Sequence, residues 1–208
     1  MRRIGIDFDN TIVGYDAVFC AAAIEYGLLP PRFTGSKREV RDILRRRPDG
    51  ELVWQRLQGE VYGKRMFAAV PIPGVLDFLA ACRDGADTEP VIVSHKTEFG
   101  HHDPDRINLR DAARTWLAAH GVTAGDNPLI DPAKVWFEPT REDKIARIKA
   151  LGCEIFIDDL EEVLTHPEFP VATTCIQYTG GDAAPAGVGH RACATWSEVT
   201  AAVFGVHG

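Results

Sequence analysis

The sequence has no apolar run long enough to cross a membrane and no surplus of positive charge. Its 208 residues carry 23 Lys and Arg against 30 Asp and Glu, which gives a net charge of −7. A negative net charge argues against a nucleic-acid or anionic-membrane surface, so neither is expected as a partner. Because an apolar strand pattern begins almost at Met1, there is no room for a signal peptide, and a cytoplasmic protein is expected.

Zinc-site and disulfide patterns are also missing. The five cysteines are odd in number, no two form a CxxC pair, and no Cys and His spacing matches a zinc site. Most of them lie in apolar contexts, which fits small buried side chains in a reducing compartment. The chain is long enough for one sizeable core, or for a core domain with a small lobe.

What the sequence does contain is a pair of aspartates at the end of an apolar, β-branched stretch. Asp7 and Asp9 are spaced i and i+2, so in a strand both point to the same face. Two adjacent like charges are costly unless a cation lies between them or one takes up a proton. Hard carboxylate oxygens suit Mg²⁺. Alone, the pair also fits a solvated turn after a strand.

Three later segments carry a reactive side chain at the end or start of an element. An apolar run leads to Ser94 as a buried parallel strand would, although a strand-end serine is also ordinary. A predicted helix has Lys144 in its first turn, where a lysine is unfavourable to the helix dipole and forms an anion site. A last apolar run ends in Asp158 and Asp159, which are also common helix caps.

Together these segments resemble the motif set of the haloacid dehalogenase-like (HAD) phosphohydrolase superfamily. Asp7-Phe8-Asp9-Asn10-Thr11 is similar to its DxDxT motif, and Ser94, Lys144 and the Asp158-Asp159 pair stand in the order of its second, third and fourth motifs. The resemblance implies an α/β fold: a HAD-like Rossmannoid parallel sheet flanked by helices, with a small helical cap of the C1 type inserted after the first strand.

For the chemistry, the resemblance implies a phosphatase that works through an aspartyl-phosphate. Asp7 would attack phosphorus, and Asp9 would protonate the leaving oxygen and then deprotonate water. Asp9 needs a raised pKa for this, which crowding by other carboxylates would supply. The cofactor would be Mg²⁺, held by Asp7, the Asp9 carbonyl and Asp158, with Asp159 binding it directly or through water. The phosphate would be bound by Asn10, Thr11, Ser94, His95 and Lys144.

Alternating strand and helix patterns predict a parallel sheet along the rest of the chain. Strands are predicted at 3–8, 90–94, 134–137, 153–157 and 171–177. Helices are predicted at 16–27, 36–47, 50–62, 74–84, 107–120, 141–151, 159–165 and 196–204. We expect the core domain at 1–13 and 72–208 and the helical cap at 14–71, with hinges at 12–15 and 70–74. Residues 179–185 read as a surface loop.

The substrate is expected to be a small phosphorylated metabolite, such as a sugar phosphate or a nucleotide. Candidate substrate-binding residues are Lys64 and Arg65 in the cap and His101 and His102 in the loop after Ser94. A phosphomutase or phosphotransferase is an alternative, because transfer to a sugar rather than to water depends on how well the cap excludes water. A non-catalytic protein that binds a phosphorylated ligand is a second alternative. Nothing in the sequence indicates the oligomeric state.

Overall fold

The computed structural model describes residues 1–182 and 189–205. In these ranges the strands are β1 (Arg2–Ile6), β2 (Val13–Gly14), β3 (Val70–Pro71), β4 (Thr88–His95), β5 (Val135–Glu138), β6 (Ile155–Asp158), β7 (Thr174–Tyr178) and β8 (Arg191–Cys193). The α-helices are α1 (Asp16–Glu25), α2 (Lys37–Arg45), α3 (Gly50–Tyr62), α4 (Val75–Asp84), α5 (Leu109–Ala119), α6 (Arg141–Leu151), α7 (Glu161–Leu164) and α8 (Trp196–Phe204). Nowhere in the described ranges is a helix long and apolar enough to span a bilayer.

Six of the strands form one parallel sheet in the order β5-β4-β1-β6-β7-β8. Its central strands are apolar on both sides, as a parallel sheet covered by helices requires. Alternate residues of β4 show this clearly: Ile92 packs in the cluster with α4, α5 and α8, whereas Val91 and Val93 pack with α6 and α7 on the other face. The predicted α/β class with a parallel sheet flanked by helices is confirmed.

Helices α1 to α3 are inserted between two short strands, and residues 14–71 are called the insert below. Strands β2 and β3 pair antiparallel, so the chain leaves and re-enters the sheet through one two-stranded ribbon. Two buried indoles fix the ends of this ribbon. Trp196 donates to the Thr11 carbonyl at 3.0 Å, and Trp116 donates to the Ala69 carbonyl at 2.8 Å. The division into a core at 1–13 and 72–208 and a cap at 14–71 stays a prediction.

Most predicted elements are present, with differences at the ends of the weaker ones. Strand β7 begins at Thr174 rather than at Val171, whose side chain is fully exposed in a turn. Helix α7 is a single turn, and β2, β3 and β8 have no predicted counterpart. The part of the predicted 179–185 loop at 183–185 lies outside the described residues.

Candidate active site

The predicted catalytic side chains lie at the edge of the sheet where its parallel strands end. Asp7 follows β1, Ser94 lies near the end of β4, and Asp158 is the last residue of β6. Ile6 is in register with Ile157, and the Asp7 amide donates to the Ile157 carbonyl at 2.9 Å. This pairing places Asp7 beside Asp158, as expected for a ligand site at the carboxyl ends of a parallel sheet.

Lys144 joins the two buried aspartates. Its Nζ donates to Asp7 Oδ1 and to Asp158 Oδ2, both at 2.6 Å, and its side chain is 2 % exposed. Burial lowers the pKa of Lys144, but the two carboxylates outweigh burial and raise that pKa, so the ammonium form is favoured. The lysine in the first turn of α6 is therefore drawn toward the strand ends instead of lying in solvent.

Asp159 adds a third carboxylate to this cluster. One oxygen each of Asp7, Asp158 and Asp159 lies within 4.8 Å of the others. Burial and repulsion from its two neighbours raise the pKa of Asp159 well above the usual value. When all three are ionised, as metal ligands must be, one ammonium group leaves two negative charges without a partner. A divalent cation with hard oxygen ligands would balance them, so these three aspartates fit a Mg²⁺ site.

Asp9 points away from that cluster and is held by Lys96 and Tyr15. Lys96 Nζ lies 3.0 and 2.8 Å from the two Asp9 carboxylate oxygens, and the Tyr15 hydroxyl donates to Asp9 Oδ1 at 2.5 Å. Burial and repulsion from Asp9 raise the pKa of Tyr15, which keeps its hydroxyl protonated as the donor.

The pKa of Asp9 is lowered, whereas the proposed acid role led us to expect a raised value. Burial would raise it, but the ion pair and hydrogen bond with Lys96 and the hydrogen bond from Tyr15 outweigh burial and lower it. The expected increase relied on crowding by other carboxylates. The physical reason for the difference is that Lys96, not another carboxylate, is the nearest charged group to Asp9.

The candidate phosphate-binding residues divide into two groups. Ser94, His95 and the Asn10 side chain line the cavity, together with Lys144. Asn10 Nδ2 lies 3.4 Å from Asp159 Oδ2, and the Asn10 backbone N–H donates a hydrogen bond to the Val13 carbonyl. Thr11 is fully buried, its hydroxyl has no partner within the described residues, and it does not line the cavity. Its expected contact with phosphate therefore has no support in this arrangement.

A cavity of about 360 Å³ opens between these strand ends and the insert. The insert closes on the loop after β4 through two glycines: an added Cβ at Gly100 would lie 2.6 Å from the Cα of Gly59. A side chain at Gly100 would therefore meet the backbone of α3, whereas a Cβ at Gly59 would have its nearest atom at 3.4 Å, an ordinary contact. The insert thus covers the aspartates and limits the space available to a ligand.

Of the four candidate substrate-binding residues, only His101 lines the cavity. Lys64 and Arg65 lie outside it because acidic neighbours hold them elsewhere. Lys64 pairs with Asp105, and Arg65 pairs with Glu25 and Glu60. His102 is exposed and does not line the cavity either. This arrangement gives no support to Lys64, Arg65 and His102 as substrate-binding residues, and their assignment stays a prediction.

Sequence reasoning missed three cations that do line the cavity: Lys37, Lys96 and Arg141. A signal was available for two of them. Lys96 is two residues after Ser94, the same spacing that led us to expect Asp7 and Asp9 at one site. Lys37 lies in the first turn of α2, the same unfavourable position that singled out Lys144.

Comparison with known proteins shows the fold. No family model matches the chain, and no curated protein does. Among solved structures, a haloacid dehalogenase-like family hydrolase from Streptococcus pneumoniae is 17 % identical with a TM-score of 0.59, over 97 % of this chain and 98 % of that one. A HAD family hydrolase from Deinococcus radiodurans, with bound phosphate and sodium, is 18 % identical with a TM-score of 0.55, over 97 % and 94 %.

A third similar structure is CbbY from Rhodobacter sphaeroides, a variant in complex with xylulose-1,5-bisphosphate. It is 14 % identical with a TM-score of 0.56, over 95 % of this chain and 96 % of that one. The likeness extends over nearly the whole length of all three chains. The protein therefore has the HAD-like Rossmannoid fold that the motif resemblance implied.

Proposed function

We propose that the protein is a Mg²⁺-dependent phosphatase that hydrolyses a small phosphorylated metabolite through an aspartyl-phosphate. The observation that carries the proposal is the cluster of Asp7, Asp158, Asp159 and Lys144, of which all but the fully buried Asp158 line one cavity, with a second, separately held aspartate beside it. A nucleophile, an acid–base group, a metal site and a fixed cation are the parts that phosphoryl transfer requires. Two of the similar structures hold phosphate or a sugar bisphosphate.

Asp7 is the nucleophile in this proposal. Lys144 holds one of its oxygens and leaves the other for attack on phosphorus, which forms the Asp7–phosphate bond as the bond to the leaving oxygen breaks. Asp7, Asp158 and Asp159 would hold Mg²⁺, which when bound supplies positive charge to the phosphoryl oxygens. Lys144 supplies further fixed positive charge, and Ser94 donates a hydrogen bond to the same oxygens.

Asp9 moves the protons. In the first half-reaction it gives a proton to the leaving oxygen, and in the second it takes one from the water that cleaves the aspartyl-phosphate. The ion pair with Lys96 favours the carboxylate, which is the form that the second half-reaction uses. The negative charge of a bound phosphoryl group favours the protonated form, which is the form that the first half-reaction uses.

The test is phosphate release from a panel of phosphorylated sugars, nucleotides and small acids. We expect release by the wild type with Mg²⁺, none with EDTA, and none by Asp7→Asn. Asp77→Asn is the matched control, because Asp77 is exposed on α4 and lies outside the cavity. Asp9→Asn is also expected to release no phosphate, and with an aryl phosphate, whose leaving group departs without a proton, it should accumulate a covalent phosphoryl adduct detectable by intact-mass spectrometry. Equal release by the wild type and Asp7→Asn would rule out Asp7 as the nucleophile.

A further inference from the structure

The part of the cavity wall formed by the insert carries one charged side chain, Lys37. The other insert residues that line the cavity are Gln55, Gln58, Gly59 and Tyr62. Gln55, Gln58 and Tyr62 are spaced i, i+3 and i+7, so they share one face of α3. Every carboxylate that lines the cavity comes instead from the ends of the core strands. The core side of the cavity therefore carries charges of both signs, whereas the only charge that the described residues place on the insert side is the positive charge of Lys37.

Lys37 differs from the other two cavity lysines in having no carboxylate partner. Lys96 and Lys144 each form ion pairs with aspartates, whereas Lys37 forms none within the part of the chain that the structure describes. Its Nζ lies 5.4, 5.8 and 6.0 Å from the ring centroids of Tyr62, Phe19 and Tyr15. The aromatic rings hold the ammonium group at the cavity without neutralising it.

The ammonium form of Lys37 is the favoured one. Burial lowers its pKa, but the Tyr62 hydroxyl and the more distant carboxylates of Asp9 and Asp159 outweigh burial and raise it. A charged, partly buried lysine in the first turn of a helix is unfavourable to the helix dipole. The helix dipole therefore does not favour a lysine at this position; its ammonium group is stabilised by the three rings and by the cavity, where a ligand with a negative charge would pair with it.

We propose that Lys37 binds a second anionic group, a carboxylate or a further phosphate, on the leaving group of the substrate. This inference rests on the proposed function, because it assumes that the transferred phosphoryl group occupies the Asp7 end of the cavity. Gln55 and Gln58 are neutral donors and acceptors suited to hydroxyl or carbonyl groups between the two anions. A cavity of about 360 Å³ that also holds the phosphoryl group limits the substrate to a small metabolite.

The first experiment measures binding, so that it does not depend on turnover. In the Asp7→Asn background with Mg²⁺, titration calorimetry compares two matched pairs of probes. Glycerol 3-phosphate against 3-phosphoglycerate tests a carboxylate, and fructose 1-phosphate against fructose 1,6-bisphosphate tests a phosphate. Each pair is measured with Lys37 intact, with Lys37→Met and with Lys37→Arg. Lys64→Met is the control, since Lys64 is an insert lysine outside the cavity.

We expect the doubly anionic member of one pair to bind about 10- to 100-fold tighter than its partner, as a charged hydrogen bond provides. Lys37→Met should reduce that preference to within about 3-fold, while Lys37→Arg and Lys64→Met keep most of it. The pair that shows the preference identifies the anion. The inference is overturned if neither doubly anionic probe binds in preference to its partner, or if the preference survives Lys37→Met.

Turnover separates the failure of this inference from failure of the proposed function. Phosphate release with Mg²⁺ at equal kcat/KM for both members of each pair would keep the phosphatase and reject the role of Lys37. A preference that disappears in Lys37→Met, without phosphate release by the wild type, would keep the anion site and reject the phosphatase. Thermal melting of Lys37→Met, compared with Lys37→Arg, checks that the variant folds.

Discussion

Replacing Lys96 with methionine tests whether the Asp9–Lys96 contact is a genuine buried ion pair. The Lys96 side chain is 2 % exposed, and its Nζ contacts both carboxylate oxygens of Asp9. Methionine keeps most of the volume of the side chain and removes its charge. Asp9 would then keep only the hydrogen bond from Tyr15.

The expected cost follows from the burial of the two partners. Removing one member of a buried pair costs about 3–5 kcal/mol, because the other charge is left without a partner. The Asp9 side chain is 20 % exposed, so water partly restores its solvation, and the lower end, about 3 kcal/mol, is expected. Asp9→Asn leaves Lys96 charged between the rings of Phe8 and Tyr62 and should cost about as much.

The double variant Lys96→Met/Asp9→Asn removes both charges at once. Its cost should be smaller than the sum of the single costs by about 2 kcal/mol or more, since neither charge remains buried. The cost of Lys96→Met should also decrease as the pH falls from neutral toward 5. Without Lys96, burial raises the pKa of Asp9, and the carboxyl then takes up a proton instead of staying charged.

Urea unfolding followed by tryptophan fluorescence measures the free energies of unfolding of the wild type, the two single variants and the double variant. Lys64→Met is the matched control, because its ion pair with Asp105 has both side chains 46 % exposed and should contribute under about 1 kcal/mol. Additive costs of the two single variants would contradict the ion pair. So would a cost of Lys96→Met no larger than that of the control.

Two further predictions concern the metal and the insert. Mg²⁺ at about 100 times its Kd should raise the free energy of unfolding by about 2.7 kcal/mol, seen as a higher Tm that EDTA reverses. Asp159→Asn should reduce that increase, and an unchanged increase would remove Asp159 from the ligand set. Gly100→Ala should cost about 1–3 kcal/mol and lower phosphate release, because its Cβ would contact the backbone of Gly59. Gly189→Ala, whose Cβ meets no atom of the described residues within 4 Å, is its control and should change neither quantity.

The fold could be predicted wherever apolar periodicity runs over a turn of helix or several strand residues. Helix α3 begins and ends at the predicted residues 50 and 62, and α6 does so at 141 and 151. Strands β2, β3 and β8 contain only two or three residues. Too few side chains alternate in such strands to produce a pattern, so pairing with a neighbour defines them instead. Val171 misled the prediction of β7 because an apolar residue can lie exposed in a turn.

The site could be predicted only in part for a related reason. Asp7, Ser94, Lys144 and Asp158 follow from where strands end and helices begin, and these are local features. The contacts of Lys37 depend instead on how the insert folds over the sheet, which no local pattern encodes. For the same reason Lys64 was a plausible substrate residue by sequence, although its ion pair with Asp105 holds it outside the cavity.

The structure also changes the explanation of how two aspartates spaced i and i+2 are tolerated. Sequence reasoning placed one divalent cation between Asp7 and Asp9. The two side chains instead diverge: Asp9 has Lys96 to itself, whereas Asp7 shares Lys144 with Asp158. Asp9 is therefore neutralised by protein alone. The excess of negative charge lies in the cluster of Asp7, Asp158 and Asp159, where burial and repulsion raise the pKa of Asp159. A divalent cation would therefore balance Asp7 together with the pair at the end of β6, rather than Asp7 together with Asp9.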